Sequence, residues 1–345
     1  MTSEDFMTRA FELAIKGIGK VSPNPMVGCV ITHQGKIVGK GWHKKYGEPH
    51  AEVNAIDSLR DKSILPQCEV YVSLEPCAHF GKTPPCADLL IKHQVKKVII
   101  SVTDPNPLVG GKGIARLKDA GIEVETGIME AEGFAINKRF FKGIQQKQPY
   151  VILKWAETAD RFIARKNYDS KWISSPYSRK LVHKWRTEED AILVGSKTAE
   201  YDNPQLTARE WKGKNPVRIV IDRNLKLKPD LHLFDGVVPT ICYNLHKNSD
   251  AKNLTFVALE KDNFIEKMLD DLFQRGIQSI IIEGGATILN EFVKKQLWDE
   301  IRLFKAGKEF GEGVAAPEKP KINYTETVLP EGDRLRIYLN QRNPL

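Results

Sequence analysis

The chain has 345 residues, of which 41% are hydrophobic and 28% charged, the balance of a soluble globular protein of about two domains and not of a disordered chain. No run approaches the roughly 20 apolar residues that span a bilayer, which excludes a helical membrane protein. The formal charge of +8 is spread evenly, 20 basic against 16 acidic side chains in residues 1–150 and 32 against 28 beyond them, so no basic block or tail marks a nucleic-acid partner.

In chain order, apolar residues at helical spacing predict a helix over 4–16, with Thr2 or Ser3 as its cap. Two strands follow, Met26–Thr32 and Lys36–Trp42, joined through His33-Gln34-Gly35 as a hairpin. Then come a helix at His50–Leu59, a strand at Glu69–Leu74, a helix at Pro85–His93 and a strand at Lys97–Val102. A helix at Gly113–Ala120, a strand at Glu123–Thr126 and a helix at Glu130–Gln145 complete the first half. The alternation predicts a mixed α/β sheet covered on both faces.

The polar run ending in Pro149 sets the expected boundary, giving domains 1–147 and 148–345. Beyond it, strands are predicted at Tyr150–Trp155, Ala191–Val194, Val217–Ile221, Thr240–Tyr243, Phe256–Leu259, Ser279–Ile282 and Glu300–Phe304, with two more near Ile322–Val328 and Arg334–Leu339. Helices are predicted at Pro176–Arg186, Asn263–Arg275 and Ala286–Lys295, so the second half is a separate α/β domain on a large sheet.

The first residues, Met1 to Phe6, are acidic and lack the apolar core of a signal peptide, so a cytoplasmic protein is expected. Its five cysteines, Cys29, Cys68, Cys77, Cys86 and Cys242, are odd in number and sparse; metal binding or burial fits them better than a disulfide framework.

The strongest chemical signal is His50-Ala51-Glu52 followed by Pro76-Cys77 and by Cys86. One imidazole and two thiolates supply three ligands to Zn2+ and leave a fourth position for water, the donor set of a catalytic zinc; the metal acidifies that water. Glu52 lies two residues after His50 and reaches the same water without being a ligand, the position of a catalytic proton shuttle. The order His-x-Glu then Pro-Cys then Cys is that of the zinc deaminases of amino-substituted bases. The competing readings are a structural zinc, or two buried cysteines beside a capping His-Glu. Here the cysteines are nine apart, in place of the usual Pro-Cys-x-x-Cys, and the longer loop adds His79 and Lys82, both suited to holding an anion.

With Pro23-Asn24-Pro25-Met26-Val27-Gly28, Gly47-Glu48-Pro49-His50-Ala51-Glu52, the Leu74–Cys86 loop and Asp104-Pro105-Asn106-Pro107, the chain resembles the bifunctional deaminase–reductases of riboflavin biosynthesis. The resemblance implies a cytidine-deaminase-like three-layer α/β/α domain followed by a dihydrofolate-reductase-like α/β domain. The implied chemistry is hydrolytic deamination of 2,5-diamino-6-ribosylamino-4(3H)-pyrimidinone 5′-phosphate. NADPH-dependent reduction of the ribosyl chain of 5-amino-6-(5-phosphoribosylamino)uracil to ribityl follows. Asn24 would then hold the pyrimidine ring. His43, His79 and Lys82 would meet the ribose phosphate or ring substituents, and Asp104 and Asn106 would complete the pocket. The partners implied are phosphorylated pyrimidines, with no nucleic acid and no membrane, in a homo-oligomer, dimer or tetramer.

In the second half the same resemblance assigns Ser170, Arg186, Leu206, Arg209 and Glu283 to the substrate side, with Lys154 near the reacting ribose carbon. Arginine suits a phosphate because guanidinium binds it through two parallel hydrogen bonds. Ala156, Trp172, Thr198, Asp202 and the stretch Gly284, Gly285, Ala286, Thr287 to Asn290 fall to NADPH, and Arg223 to its 2′-phosphate. Two glycines between a strand and a helix let backbone approach a pyrophosphate, and the helix N–H groups bind the anion. One position departs from the family's turn ending in Asp-Gly: Asp160 is followed by Arg161. If that turn needs positive φ, arginine is costly there, and a deaminase with an inactive or merely assembling second domain stands as the alternative.

Overall fold

The computed structural model describes residues 1–80, 84–106 and 110–340. The chain divides into two compact units, Met1–Lys147 and a second that begins at Gln148.

The first unit opens with helix α1 (Ser3–Ala14), where Thr2 and Asp5 form a capping box: the Asp5 N–H donates to the Thr2 hydroxyl and the Thr2 N–H to the Asp5 carboxylate. Strands β1 (Gly28–His33) and β2 (Lys36–Trp42) form the hairpin, then α2 (Ala51–Asp57), β3 (Glu69–Leu74), α3 (Cys86–Lys92), β4 (Lys97–Val102), α4 (Lys112–Asp119), β5 (Glu123–Thr126) and α5 (Glu130–Gln146). The sheet order is β2-β1-β3-β4-β5, antiparallel at β1 with both neighbours and parallel from β3 to β5. Period-two alternation sends Val30, Tyr71 and Ile99 to one face, against Phe6, Met7 and Ala10 of α1. Ile31, Val70, Val72, Val98 and Ile100 go to the other, against Ala51, Ala55 and Ile56 of α2, Leu90 of α3 and Leu117 of α4. That is the expected three-layer arrangement.

The expected strand at Met26 starts two residues later. Met26 lies in the preceding loop, where its N–H and carbonyl are both taken by the buried Asn137 amide at 2.8 and 2.9 Å. The Asn137 backbone itself leaves helical geometry inside α5. Gly28 opens β1 because the α1 backbone crosses there: a Cβ would lie 1.9 Å from the Ala10 carbonyl oxygen.

The second unit runs β6 (Tyr150–Glu157), β7 (Phe162–Ala164), α6 (Pro176–Glu188), β8 (Ala191–Gly195), α7 (Ser196–Asp202), β9 (Val217–Ile221), β10 (Thr240–Asn244), β11 (Ser249–Ala251) and β12 (Leu254–Ala258). It continues with α8 (Phe264–Gln274), β13 (Ser279–Glu283), α9 (Ala286–Lys294), β14 (Glu300–Lys305), β15 (Val314–Ala315), β16 (Tyr324–Val328) and β17 (Arg334–Leu339). Its large sheet has the order β11-β12-β10-β9-β8-β13-β6-β14-β17-β16, parallel from β12 through to β14. Ile265, Met268, Leu269 and Leu272 of α8 and Leu289 and Phe292 of α9 pack on one face. Val182 and Trp185 of α6 cover the other with Ala199 of α7. Strand β12 sits two residues earlier than its expected start at Phe256, because the ladder with β10 begins at Thr240 opposite Leu254.

Candidate active sites

In the first unit, His50 is the N-cap residue of α2, Cys77 lies in the loop after β3, and Cys86 is the first residue of α3. One donor atom from each falls within 4.8 Å of the others. His50 Nδ1 is 3.6 Å from Cys77 Sγ and 3.3 Å from Cys86 Sγ. Tetrahedral zinc, with Zn–S near ~2.3 Å and Zn–N near ~2.0 Å, requires nitrogen–sulfur edges of roughly 3.5 Å, so the three donors fit that ion. The Cys86 N–H donates to Cys77 Sγ at 3.3 Å. Hydrogen bonds from the Cys86 thiol and backbone and from His50 hold the Cys77 thiol well below its ordinary range, which favours the thiolate a metal needs.

Glu52, in the first turn of α2, is buried; desolvation and then the Cys77 thiolate push its carboxyl up to about 7, against the pull of His50. Asn24 and His43 come together beside the metal ligands: the Asn24 amide is 3.3 Å from His43 Nε2, and the His43 ring lies edge-on to His50 with centroids 5.4 Å apart. The Pro49 carbonyl, 3.2 Å from His43 Nδ1, fixes the ring's orientation. Asp104 is buried just past β4, where desolvation raises its carboxyl to about 6, and its Oδ1 accepts the Asn106 N–H at 2.8 Å. His79 is exposed on the loop after Cys77, and Lys82 lies outside the described residues. Sequence reasoning passed over Asn137, which holds the Met26 loop, and Glu75, which binds backbone across the unit.

In the second unit, Lys154, Ala156, Ser170, Trp172, Arg186, Thr198, Asp202, Leu206, Arg209, Arg223, Glu283 and Gly284 to Thr287 all line one cavity of about 1010 Å³. The cavity opens at the carboxyl ends of β6, β13, β8 and β9, where open parallel sheets place their ligands. Register explains its centre. Glu283 ends β13 opposite Lys154 on β6, and Arg186 reaches Glu283 from α6. Glu283 Oε2 accepts from Arg186 at 3.0 Å and lies 3.7 Å from Lys154 Nζ, while its buried Oε1 and the Arg186 Nε have no partner.

Around that centre, the Ser170 hydroxyl donates to Asp202 at 3.1 Å, and burial raises the Asp202 carboxyl. The Gly285 N–H donates to the Thr198 hydroxyl at 2.9 Å, so this N–H of the Gly-Gly turn is engaged by a side chain. Arg223 pairs with Glu291 at 3.1 Å. Leu206 is buried with φ of 53°, and Arg209 is exposed at the rim. The cavity also takes in His183, Tyr168 and Tyr201, which carry no motif signal; Tyr168 and Tyr201 stack with centroids 4.6 Å apart. Arg161 adopts φ of 68°, and the turn closes around it: its N–H reaches the Thr158 carbonyl at 3.0 Å, while Asp160 accepts the Phe310 and Gly311 N–H groups.

Residues 1–102 match the cytidine and deoxycytidylate deaminase zinc-binding region, and residues 149–329 match the RibD C-terminal domain. The riboflavin biosynthesis protein RibD of Aquifex aeolicus is 41% identical over 90% of this chain and 89% of its own length. The chain belongs to the RibD family. The Escherichia coli RibD is 36% identical over 90% of this chain and 89% of its own. The Thermotoga maritima diaminohydroxyphosphoribosylaminopyrimidine deaminase/5-amino-6-(5-phosphoribosylamino)uracil reductase superposes with a TM-score of 0.89 at 36% identity, covering 97% of both chains. Acinetobacter baumannii RibD superposes with a TM-score of 0.87 at 33% identity, over 98% of this chain and 99% of the other. As a RibD protein the chain is a bifunctional deaminase and reductase of riboflavin biosynthesis, with its zinc-binding region in the deaminase half. The reading of a deaminase alone is not favoured, since both halves match. No helix among the described residues is long and apolar enough to cross a membrane.

Proposed function

We propose that residues 1–147 deaminate 2,5-diamino-6-ribosylamino-4(3H)-pyrimidinone 5′-phosphate and that residues 148–345 reduce the ribosyl chain of the resulting 5-amino-6-(5-phosphoribosylamino)uracil. The observation that carries this reading is the convergence of His50, Cys77 and Cys86 within 4.8 Å, with a buried Glu52 beside them. His50, Cys77 and Cys86 would hold the zinc, which when bound would acidify a water. Glu52 would take up a proton at its carboxylate and return it to the departing ammonia. Burial raises this carboxyl above its ordinary value, which suits a group that must both take and give a proton. Asn24, steadied by His43, offers directional amide contacts to the ring. Asp104 and Asn106 line the side beyond β4, and His79 and Lys82 serve the phosphate.

In the reductase, NADPH supplies the hydride. Trp172, Thr198, Asp202, Ala156 and Gly284 to Thr287 seat the cofactor, with Arg223 at its 2′-phosphate. Ser170, Arg186, Leu206, Arg209 and Glu283 seat the substrate, with the Lys154 ammonium beside the reacting carbon. Burial lowers the Lys154 pKa against the pull of Glu283, which eases proton donation as the sugar ring opens. The enzyme works as a cytoplasmic homo-oligomer.

Mass spectrometry of products from the diaminopyrimidinone phosphate, with zinc-loaded protein and NADPH, tests the proposal. The expected product is one both deaminated and reduced. A product that is only deaminated refutes the reductase assignment, and unchanged substrate with metal bound refutes the substrate.

A further inference from the structure

We infer that Glu75 is a positioning residue of the deaminase, one whose carboxylate fixes the Asp104 segment relative to the metal loop. The inference rests on the proposed role of Asp104 and Asn106 in substrate binding.

Glu75 stands between the end of β3 and Pro76-Cys77, and it is 4% exposed. Its own N–H donates to the Val102 carbonyl at 2.9 Å, which anchors its backbone to the end of β4. The side chain then accepts four backbone N–H groups. Oε2 takes those of Asp104 at 3.2 Å and Gly111 at 3.0 Å; Oε1 takes those of Gly113 at 2.9 Å and Ile114 at 3.2 Å. A buried carboxylate that fills its lone pairs with backbone donors is held in one place and holds its donors there in turn.

Two further facts give this clamp a direction. Helix α4 starts from Gly111, which has no side chain to cap it, so the orphan N–H groups of its first turn are satisfied by Glu75 from another segment. Gly113 lets that turn press on the metal loop: a Cβ there would lie 2.1 Å from the Pro76 carbonyl oxygen, and Pro76 precedes Cys77. Asp104 is bonded through its own N–H to the same carboxylate, and its Oδ1 in turn fixes the Asn106 N–H. The metal loop and the Asp104–Asn106 wall therefore share one carboxylate. A stabiliser of α4 alone would have no reason to bind Asp104.

The test is Glu75→Gln in the full-length, zinc-loaded protein. The amide keeps one acceptor oxygen and turns the other into a donor facing N–H groups, so two of the four bonds are lost. The expected result is a rise of about tenfold or more in KM for the diaminopyrimidinone phosphate, the equivalent of one lost charge-assisted hydrogen bond. The kcat should stay within about threefold of wild type and zinc at one per chain. Amide exchange should quicken in the peptides holding Asp104 and Gly111 to Ile114. In a double-mutant cycle with Asp104→Asn the KM effects should be less than additive, because Glu75 acts through Asp104. An unchanged KM with a lowered unfolding temperature would reduce Glu75 to a helix cap, and loss of zinc would make it a support of the metal loop; either overturns the inference. Wild-type protein that fails to deaminate this substrate would instead overturn the underlying functional reading, and the exchange measurement reports on the clamp independently of turnover.

Discussion

Replacing Glu283 by glutamine removes one negative charge from between two buried cations, and the structure says what that should cost. Burial alone would raise the Glu283 carboxyl, yet the Arg186 guanidinium and then the Lys154 ammonium hold it at about 2. The gap from an ordinary value of about 4.5, at about 1.4 kcal/mol for each tenfold step in proton affinity, corresponds to about 3 kcal/mol. Lys154 tells the other side of the same contact. Its pKa is lowered, because desolvation outweighs Glu283 at 3.7 Å, and Arg186 at 3.0 Å is the principal partner. With Glu283 gone, Lys154 can shed its proton and recover part of the loss, so Glu283→Gln should destabilise the second unit by about 2–3 kcal/mol at pH 7.

The pH dependence has a defined sign. A depressed carboxyl contributes stability that is complete above its unfolded value and lost as pH falls toward its folded one. The difference between wild type and Glu283→Gln should thus be full at pH 7 and shrink between about pH 4.5 and about pH 2. Urea unfolding followed by tryptophan fluorescence is the assay, since five of the six tryptophans lie at or beyond Trp155. Taking the difference between the two proteins at each pH cancels acid effects on the first unit. A variant within about 0.5 kcal/mol of wild type at pH 7, or a difference that grows as pH falls, would refute the electrostatic account.

Cys86→Ala should bring zinc from one per chain to near zero by elemental analysis and slow deamination at least about a thousandfold, while reduction of supplied 5-amino-6-(5-phosphoribosylamino)uracil continues. Arg223→Ala should raise KM for NADPH about tenfold and leave that for NADH unchanged; an equal rise for both would separate Arg223 from the 2′-phosphate. Arg161→Gly should stabilise the protein by about 0.5–1 kcal/mol in chemical unfolding, because a left-handed backbone costs arginine more than glycine's extra chain entropy offsets. The reduction rate should not change, since the turn already closes with arginine in place.

What could be read from the sequence is what has a period or a fixed chemical order. Glu69–Leu74, Lys97–Val102 and Val217–Ile221 occur at their expected limits because each is a mainly apolar run bounded by polar or turn residues, and Lys36–Trp42 does so because the turn before it sets its start. His50, Cys77 and Cys86 stand out because few other reasons bring that donor set together in that order. The elements that escaped lack such signals. Helix α7 buries only Ala199, β7 and β15 have three and two residues, and β11 is exposed throughout on the sheet's edge.

The side chains that escaped share a different property: their partners are backbone groups far away in the chain. Asn137 holds Met26 across 111 residues, and Glu75 holds Ile114 across 39. Neither makes a pattern with its neighbours, because backbone donors look alike in every sequence. Only the topology, which sets the ends of β3 and β4 side by side and brings α4 over Pro76, gives those polar groups their partners. The consequence is an asymmetry within each site. The groups suited to chemistry, such as Glu52, Lys154 and Glu283, announce themselves by residue type and motif. The groups that aim them are ordinary polar residues at strand ends and inside helices, and a substitution there should alter substrate affinity while every recognisable motif remains intact.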